Sequence, residues 1–111
     1  VTLGEISSAV PDCVVAAWVD TRTGAVRDQH AARDDAFIPA ALEAATEVMR
    51  SRERPPRMVL LSARHVHMFH RMAHDPHRVL VVICERSPNI GLAVALVRTF
   101  AEREAEAEAA R

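Results

Sequence analysis

The stretch from Arg78 to Phe100, RVLVVICERSPNIGLAVALVRTF, changes its period part-way along. Val79 to Cys84 is an unbroken apolar run rich in β-branched residues, bounded by Arg78 and by Glu85-Arg86-Ser87-Pro88, which is how a strand buried on both faces reads. From Ile90 the apolar positions move to helical spacing: Ile90, Ala93, Val94, Val97, Phe100 and Ala101. Arg98 and Glu102 lie one turn apart on another face. Ser87 to Asn89 offers an N-cap and a proline for the first turn. A central strand feeding a helix that packs back on its own sheet is the nucleus of a small α/β domain.

Working outward, the preceding segments supply the rest of a sheet. Arg57 to Ser62 carries Met58-Val59-Leu60-Leu61 without a charge, and Arg64 to Met72 follows as a strand of mixed character. His74-Asp75-Pro76-His77 turns the chain into the central strand. Nearer the start, Thr2 and Glu5 have capping-box spacing ahead of Leu3, Ile6 and Val10, predicting a short helix over 2–10. Val14 to Val19, which holds the only tryptophan, Trp18, and Ala25 to Ala31 form a hairpin about the turn Asp20 to Gly24. The return strand, with Arg27, Asp28, Gln29 and His30, reads as an exposed edge.

Between the two sets of strands, Asp34 and Asp35 can cap a helix with Pro39 in its first turn, running to about Arg52 before Pro55-Pro56. Ile38, Leu42, Ala45 and Met49 form one apolar stripe, and Phe37, Ala41, Ala44 and Val48 a second beside it. Glu43, Glu47 and Arg50 lie outside. The apolar arc is wider than one sheet face requires, and its alanines let a second helix approach closely.

Composition narrows the function classes. At 111 residues the chain forms one domain, and 50% hydrophobic with 26% charged residues is globular. Fourteen cations, all arginine, stand against fifteen carboxylates, a net charge of −1 that provides no field for nucleic acid. The longest apolar run is far too short to span a bilayer and no signal peptide is read, so a cytoplasmic location is expected. The chain opens on Val1, as a processed or trimmed chain would. Cys13 and Cys84 read as reduced core residues, with a disulfide open but unneeded at this size.

The order of elements, helix, two strands, helix, three strands, helix, now carries a resemblance. Val10-Pro11-Asp12-Cys13-Val14-Val15, the turn Asp20 to Gly24, and Asn89-Ile90-Gly91-Leu92-Ala93 are similar to the corresponding passages of roadblock domains. These are found in dynein light chains, in lysosomal scaffolds for Ras-like GTPases and in bacterial regulators of such GTPases. Family members often carry glycine where Asp12 or Cys13 stands here. The resemblance implies an α/β (α+β) roadblock/profilin-like fold over residues 1–103, an antiparallel five-stranded sheet flanked by helices. Residues 104–111 then form a solvated Ala/Glu-rich tail. It further implies a dimer with paired central helices and sheets joined edge to edge, and a Ras-like small GTPase as partner, with no catalytic residue or cofactor of the chain's own. Met58 to Leu61 points to a homodimer independently, as an apolar edge strand that pairing would protect. Ala41, Ala44, Val48, Met58, Val59, Leu60 and Leu61 are its expected interface, and Glu43, Glu47 and Arg50 the expected partner-binding face.

Two other readings stand beside this one. His65, His67, His70, His74 and His77 fall within thirteen residues, and His65 and His67 on one strand face with His74 or His77 in the following turn could ligate a metal, His77 being the expected third ligand. The same pair, brought near its copies across a two-fold axis, would make dimerisation pH-dependent. A PAS-like or profilin-like ligand-sensing domain shares the element plan and would hold a closed internal pocket. Ser62 and Ser87 lack nucleophile-elbow glycines, Cys13 and Cys84 lack a base at fixed spacing, and the turn at Gly91 lacks the lysine and glycines of a phosphate loop.

Overall fold

The computed structural model describes residues 1–51, 53–87 and 89–111. Its elements run α1 (Leu3–Ala9), β1 (Cys13–Asp20), β2 (Ala25–Ala31), α2 (Ile38–Met49), β3 (Arg57–Leu61), β4 (His65–Arg71), β5 (Arg78–Glu85) and α3 (Ile90–Ala109). The five strands form one antiparallel sheet in the order β2-β1-β5-β4-β3. The expected α/β architecture is therefore present.

The two apolar runs become the central strands because only there are both faces covered. β1 is buried throughout, as is β5 from Val79 to Cys84. Leu80, Val82 and Cys84 pack beneath α1 and α3, and Val79, Val81 and Ile83 beneath α2. β1 breaks its alternation once. A register shift between Cys13 and Val15 sets both Val14 and Val15 on the α2 side, the local effect of a β-bulge. Leu42, 1% exposed, anchors α2 to that side, and burying a leucine this fully stabilises the fold by about 2 kcal/mol.

Helix ends follow local chemistry. Thr2 Oγ1 accepts a hydrogen bond from the Glu5 amide at 3.1 Å, which is half of the expected capping box. Asp35 Oδ1 accepts from the Phe37 amide at 3.2 Å, so it shapes the approach to α2 from outside the N-cap position, which Phe37 occupies. α2 ends at Met49, short of the expected limit, and Arg52 lies outside the described residues. Arg71 of β4 donates to the carbonyls of Met49 and Ser51, satisfying groups a helix end leaves open. Before α3, Ser87 Oγ accepts from the Asn89 amide at 3.1 Å while Asn89 holds the N-cap position; Pro88 lies outside the described residues.

Two backbone positions require the left-handed region. Gly24 (φ 79°) closes the hairpin turn, its amide donating to the Asp20 carbonyl at 2.8 Å. Asp12 (φ 57°) enters the same region just before β1. This is one of the two positions where roadblock domains often carry glycine, and a short polar side chain is among the substitutes that tolerate it best.

The expectation of a solvated tail needs correction. α3 continues to Ala109, and although Glu102 and Glu106 are exposed, Glu104 is only 5% exposed. Arg111 and the Val1 ammonium each approach its carboxylate at 3.4 Å. His74 Nε2 lies 3.2 Å from the Ala105 carbonyl, and Glu108 pairs with Arg78, whose guanidinium rests 3.8 Å from the centre of the Trp18 ring. The stripe Val97, Ala101, Glu104, Glu108 keeps helical spacing to the end of the helix. Glu104 is buried and Glu108 half-buried because cations stand opposite them.

Candidate interaction surface

β3 ends the sheet, bonded to β4 on one side only. An edge strand exposes a row of amide and carbonyl groups, and most proteins blunt it with charge. Here Val59, Leu60 and Leu61 are 42%, 40% and 59% exposed. Met58, opposite Phe69, is half-buried against the α2-side core. Pairing with β4 sends Leu60 and Met58 to the α2 face and Val59 and Leu61 to the α3 face.

On the α2 face an open apolar groove of about 250 Å³ runs between helix and edge, lined by Ala41, Ala44 and Val48 on one wall and Leu60, His67 and Phe69 on the other. Every residue expected at the dimer interface thus borders either this groove or the β3 edge. The small side chains of Ala41 and Ala44 leave the space, because the larger stripe, Ile38, Leu42 and Met49, is consumed by the core. On the opposite face a second groove of about 210 Å³ lies between β3 and α3, with Val59, Val94 and Val97 beside Arg57 and Arg98. Both cavities lie at the surface between a helix and the edge strand.

Glu43, Glu47 and Arg50 are exposed, with Glu47 and Arg50 3.7 Å apart. They line a polar depression facing the hairpin at Gly24 and Val26, on the flank of α2 away from Ala41, Ala44 and Val48. The helix therefore has two distinct sides, and the expected partner-binding residues do not share a groove with the expected dimer residues.

The histidines separate. His65 and His67 share the α2 face of β4, their ring centres 6.2 Å apart, with His65 stacked on Phe37 at 4.3 Å and His67 Nε2 3.4 Å from Ser62 Oγ. His70 lies in the α3-side groove. His65 pairs with Glu85 and Arg71 with Val79, so the turn carrying His77 joins the far end of β4, about 20 Å from His65 at the rise of a strand. His77 cannot complete a site with His65 and His67, and among the described residues no group of three candidate ligands converges. Sequence spacing concealed this, since a strand carries its two ends apart while a turn brings neighbours together. Burial, and after it the charge of His65, holds the His67 imidazole below its ordinary value; burial and then Arg57 do the same for His70.

No protein-family sequence model matches the chain, and no curated protein sequence matches it. Solved structures do. A structure described as MglB with tetrameric arrangement superposes with a TM-score of 0.75 at 15% identity, over 94% of this chain and 82% of that one. MglC from Myxococcus xanthus gives 0.66 at 15% identity, over 91% of each chain. A Roadblock/LC7 domain from Streptomyces avermitilis gives 0.64 at 10% identity, over 91% and 89%. The fold is the roadblock fold. At these identities the likeness is one of architecture, and it extends over nine-tenths or more of the chain. Among the described residues, no helix of this roadblock fold is long and apolar enough to cross a membrane.

Proposed function

We propose that the protein is a non-catalytic homodimeric regulator or scaffold that acts on a Ras-like small GTPase. The observation that carries this reading is the unprotected apolar edge of β3 beside the groove under Ala41, Ala44 and Val48. Two copies related by a two-fold axis would pair β3 with β3, extending the sheet to ten strands, and set one α2 against the other. Such an interface is self-complementary and removes a surface prone to indiscriminate association. The GTPase follows from the resemblance to roadblock domains in the sequence. Any effect on hydrolysis would arise from holding the partner's own loops in place, through positioning and electrostatics. The separate, charged flank Glu43, Glu47 and Arg50 stays accessible in such a dimer and is the proposed contact for it.

Light scattering of the full chain at neutral pH tests the first half, with a mass of two chains expected. Pull-down against Ras-like GTPases loaded with GTP or GDP tests the second. Nucleotide-dependent retention that Glu43→Arg with Glu47→Arg abolishes, while the dimer persists, supports the assignment. A dimer that retains none of them reduces the reading to a scaffold.

A further inference from the structure

Cys13 and Cys84 are seventy-one positions apart in sequence and directly opposite each other in the sheet. Both side chains belong to the core beneath α1 and α3, with Cys13 7% and Cys84 2% exposed. Their rung has a defined type. The Glu85 amide donates to the Asp12 carbonyl at 3.0 Å, which makes Asp12 and Glu85 the hydrogen-bonded rung and the cysteines the adjacent non-hydrogen-bonded one. On such a rung Cα atoms stand about 4.5 Å apart and side chains come closest. That separation falls inside the span of roughly 4.4–6.8 Å that a disulfide bridges without moving the backbone. Both are free thiols in this structure.

We infer that Cys13 and Cys84 form a redox-modification site, a dithiol that closes into a cross-strand disulfide by exchange with a low-molecular-weight disulfide. The bond would tie the α1–β1 junction to the β5–α3 junction, since Cys13 opens β1 and Cys84 lies one residue from the end of β5.

The two thiols have unequal roles. A hydrogen bond with Cys84 lowers the Cys13 thiol, burial opposes it, and Ser7, the Val15 backbone and the charge of Arg33 lower it further. The same hydrogen bond, then burial, pushes Cys84 up. Cys13 is also the more exposed, beside the left-handed Asp12 and under the seven-residue α1, whose local opening gives access. The Cys13 thiolate attacks one sulfur of the external disulfide. A mixed disulfide forms, and the first small thiol leaves with the bonding pair and takes a proton. Cys84 then loses its proton to water and attacks Cys13 Sγ, expelling the second small thiol. The chain's two thiols are oxidised to one disulfide, and the external disulfide is reduced to two thiols.

The test uses the full chain, folded, with oxidised glutathione as probe and glutathione added to set the redox poise. The expected result is loss of both thiols, an intact mass lower by two hydrogens, and a melting temperature raised by about 5 °C or more, all reversed by dithiothreitol. Acid-quenched early time points should carry glutathione on the Cys13 peptide, and Cys84→Ser should accumulate that adduct. Two free thiols persisting in the folded chain, where the urea-unfolded chain is oxidised, would overturn the inference. So would disulfides between chains, or a first adduct on Cys84. The time course on the unmodified chain decides the order even if a serine variant fails to fold.

Discussion

The two edges of the sheet are built from opposite materials. β2 exposes Arg27, Asp28, Gln29 and His30 along its length, and β3 exposes Val59, Leu60 and Leu61. Charge on an edge strand keeps other chains away; apolar residues on an edge with open grooves on either side admit one. The same backbone hazard exists at both ends, so the difference lies in the side chains alone. On the proposed reading, one edge is closed to association and the other takes a second copy of matching shape.

The strongest way to break that contrast is to give β3 the chemistry of β2. Val59→Lys with Leu61→Lys should weaken self-association by roughly 100-fold, about 2.7 kcal/mol, without lowering the unfolding midpoint of the isolated chain. Sedimentation over a concentration series checks it, and an undiminished dimer would move the interface elsewhere. Filling the groove is the next largest perturbation. Ala44→Arg should cost about tenfold in dimer affinity, because the helix flank that must approach its copy then carries a charge.

Acid should act more gently, one strand in from the same edge. Burial holds the His67 and His70 imidazoles below their ordinary values, so the folded chain resists protons that the unfolded chain accepts. Stability should therefore fall as pH drops below about 6.5 and level off once pH passes below the folded values. Urea midpoints at pH 7.5 and 5.5 should differ less in the His67→Gln, His70→Gln variant than in the parent; equal slopes would show that neither ring contributes. The smallest effect belongs to the other edge. Val26→Lys on β2 should leave dimer affinity within about twofold, and a larger loss would mean that both edges associate.

What the sequence disclosed depended on how far each feature reached along the chain. The central strands were legible from unbroken β-branched runs, the exposed return strand from its charges, and the first helix from Thr2 and Glu5. These are local signals, and tertiary contacts reinforced them. Strand order and register were not legible, because they depend on which segments meet. For that reason a Cys13–Cys84 disulfide stood only as an open option, and the five histidines looked like a cluster. The last turns of α3 were misread for a different reason: Glu104 continues the buried stripe with Glu108 half-buried beyond it, and a carboxylate advertises solvent unless its cation is known. Of the candidate surface, the apolar residues along β3 and the small residues of α2 were nameable from the sequence as features of the chain. Their separation from Glu43, Glu47 and Arg50 required the helix to be seen between its two neighbours.

Arg78 lies between the only indole of the chain and the last helical turns, over the Trp18 ring and paired with Glu108. A guanidinium resting on an indole face alters the light the ring emits, so the molecule carries its own optical gauge of whether those turns are seated. Trp18 emission, recorded without any label, should shift when Glu108→Gln loosens the contact and stay constant when Glu106→Gln does not. The C-terminal turns can thus be watched in real time while the proposed partner is added.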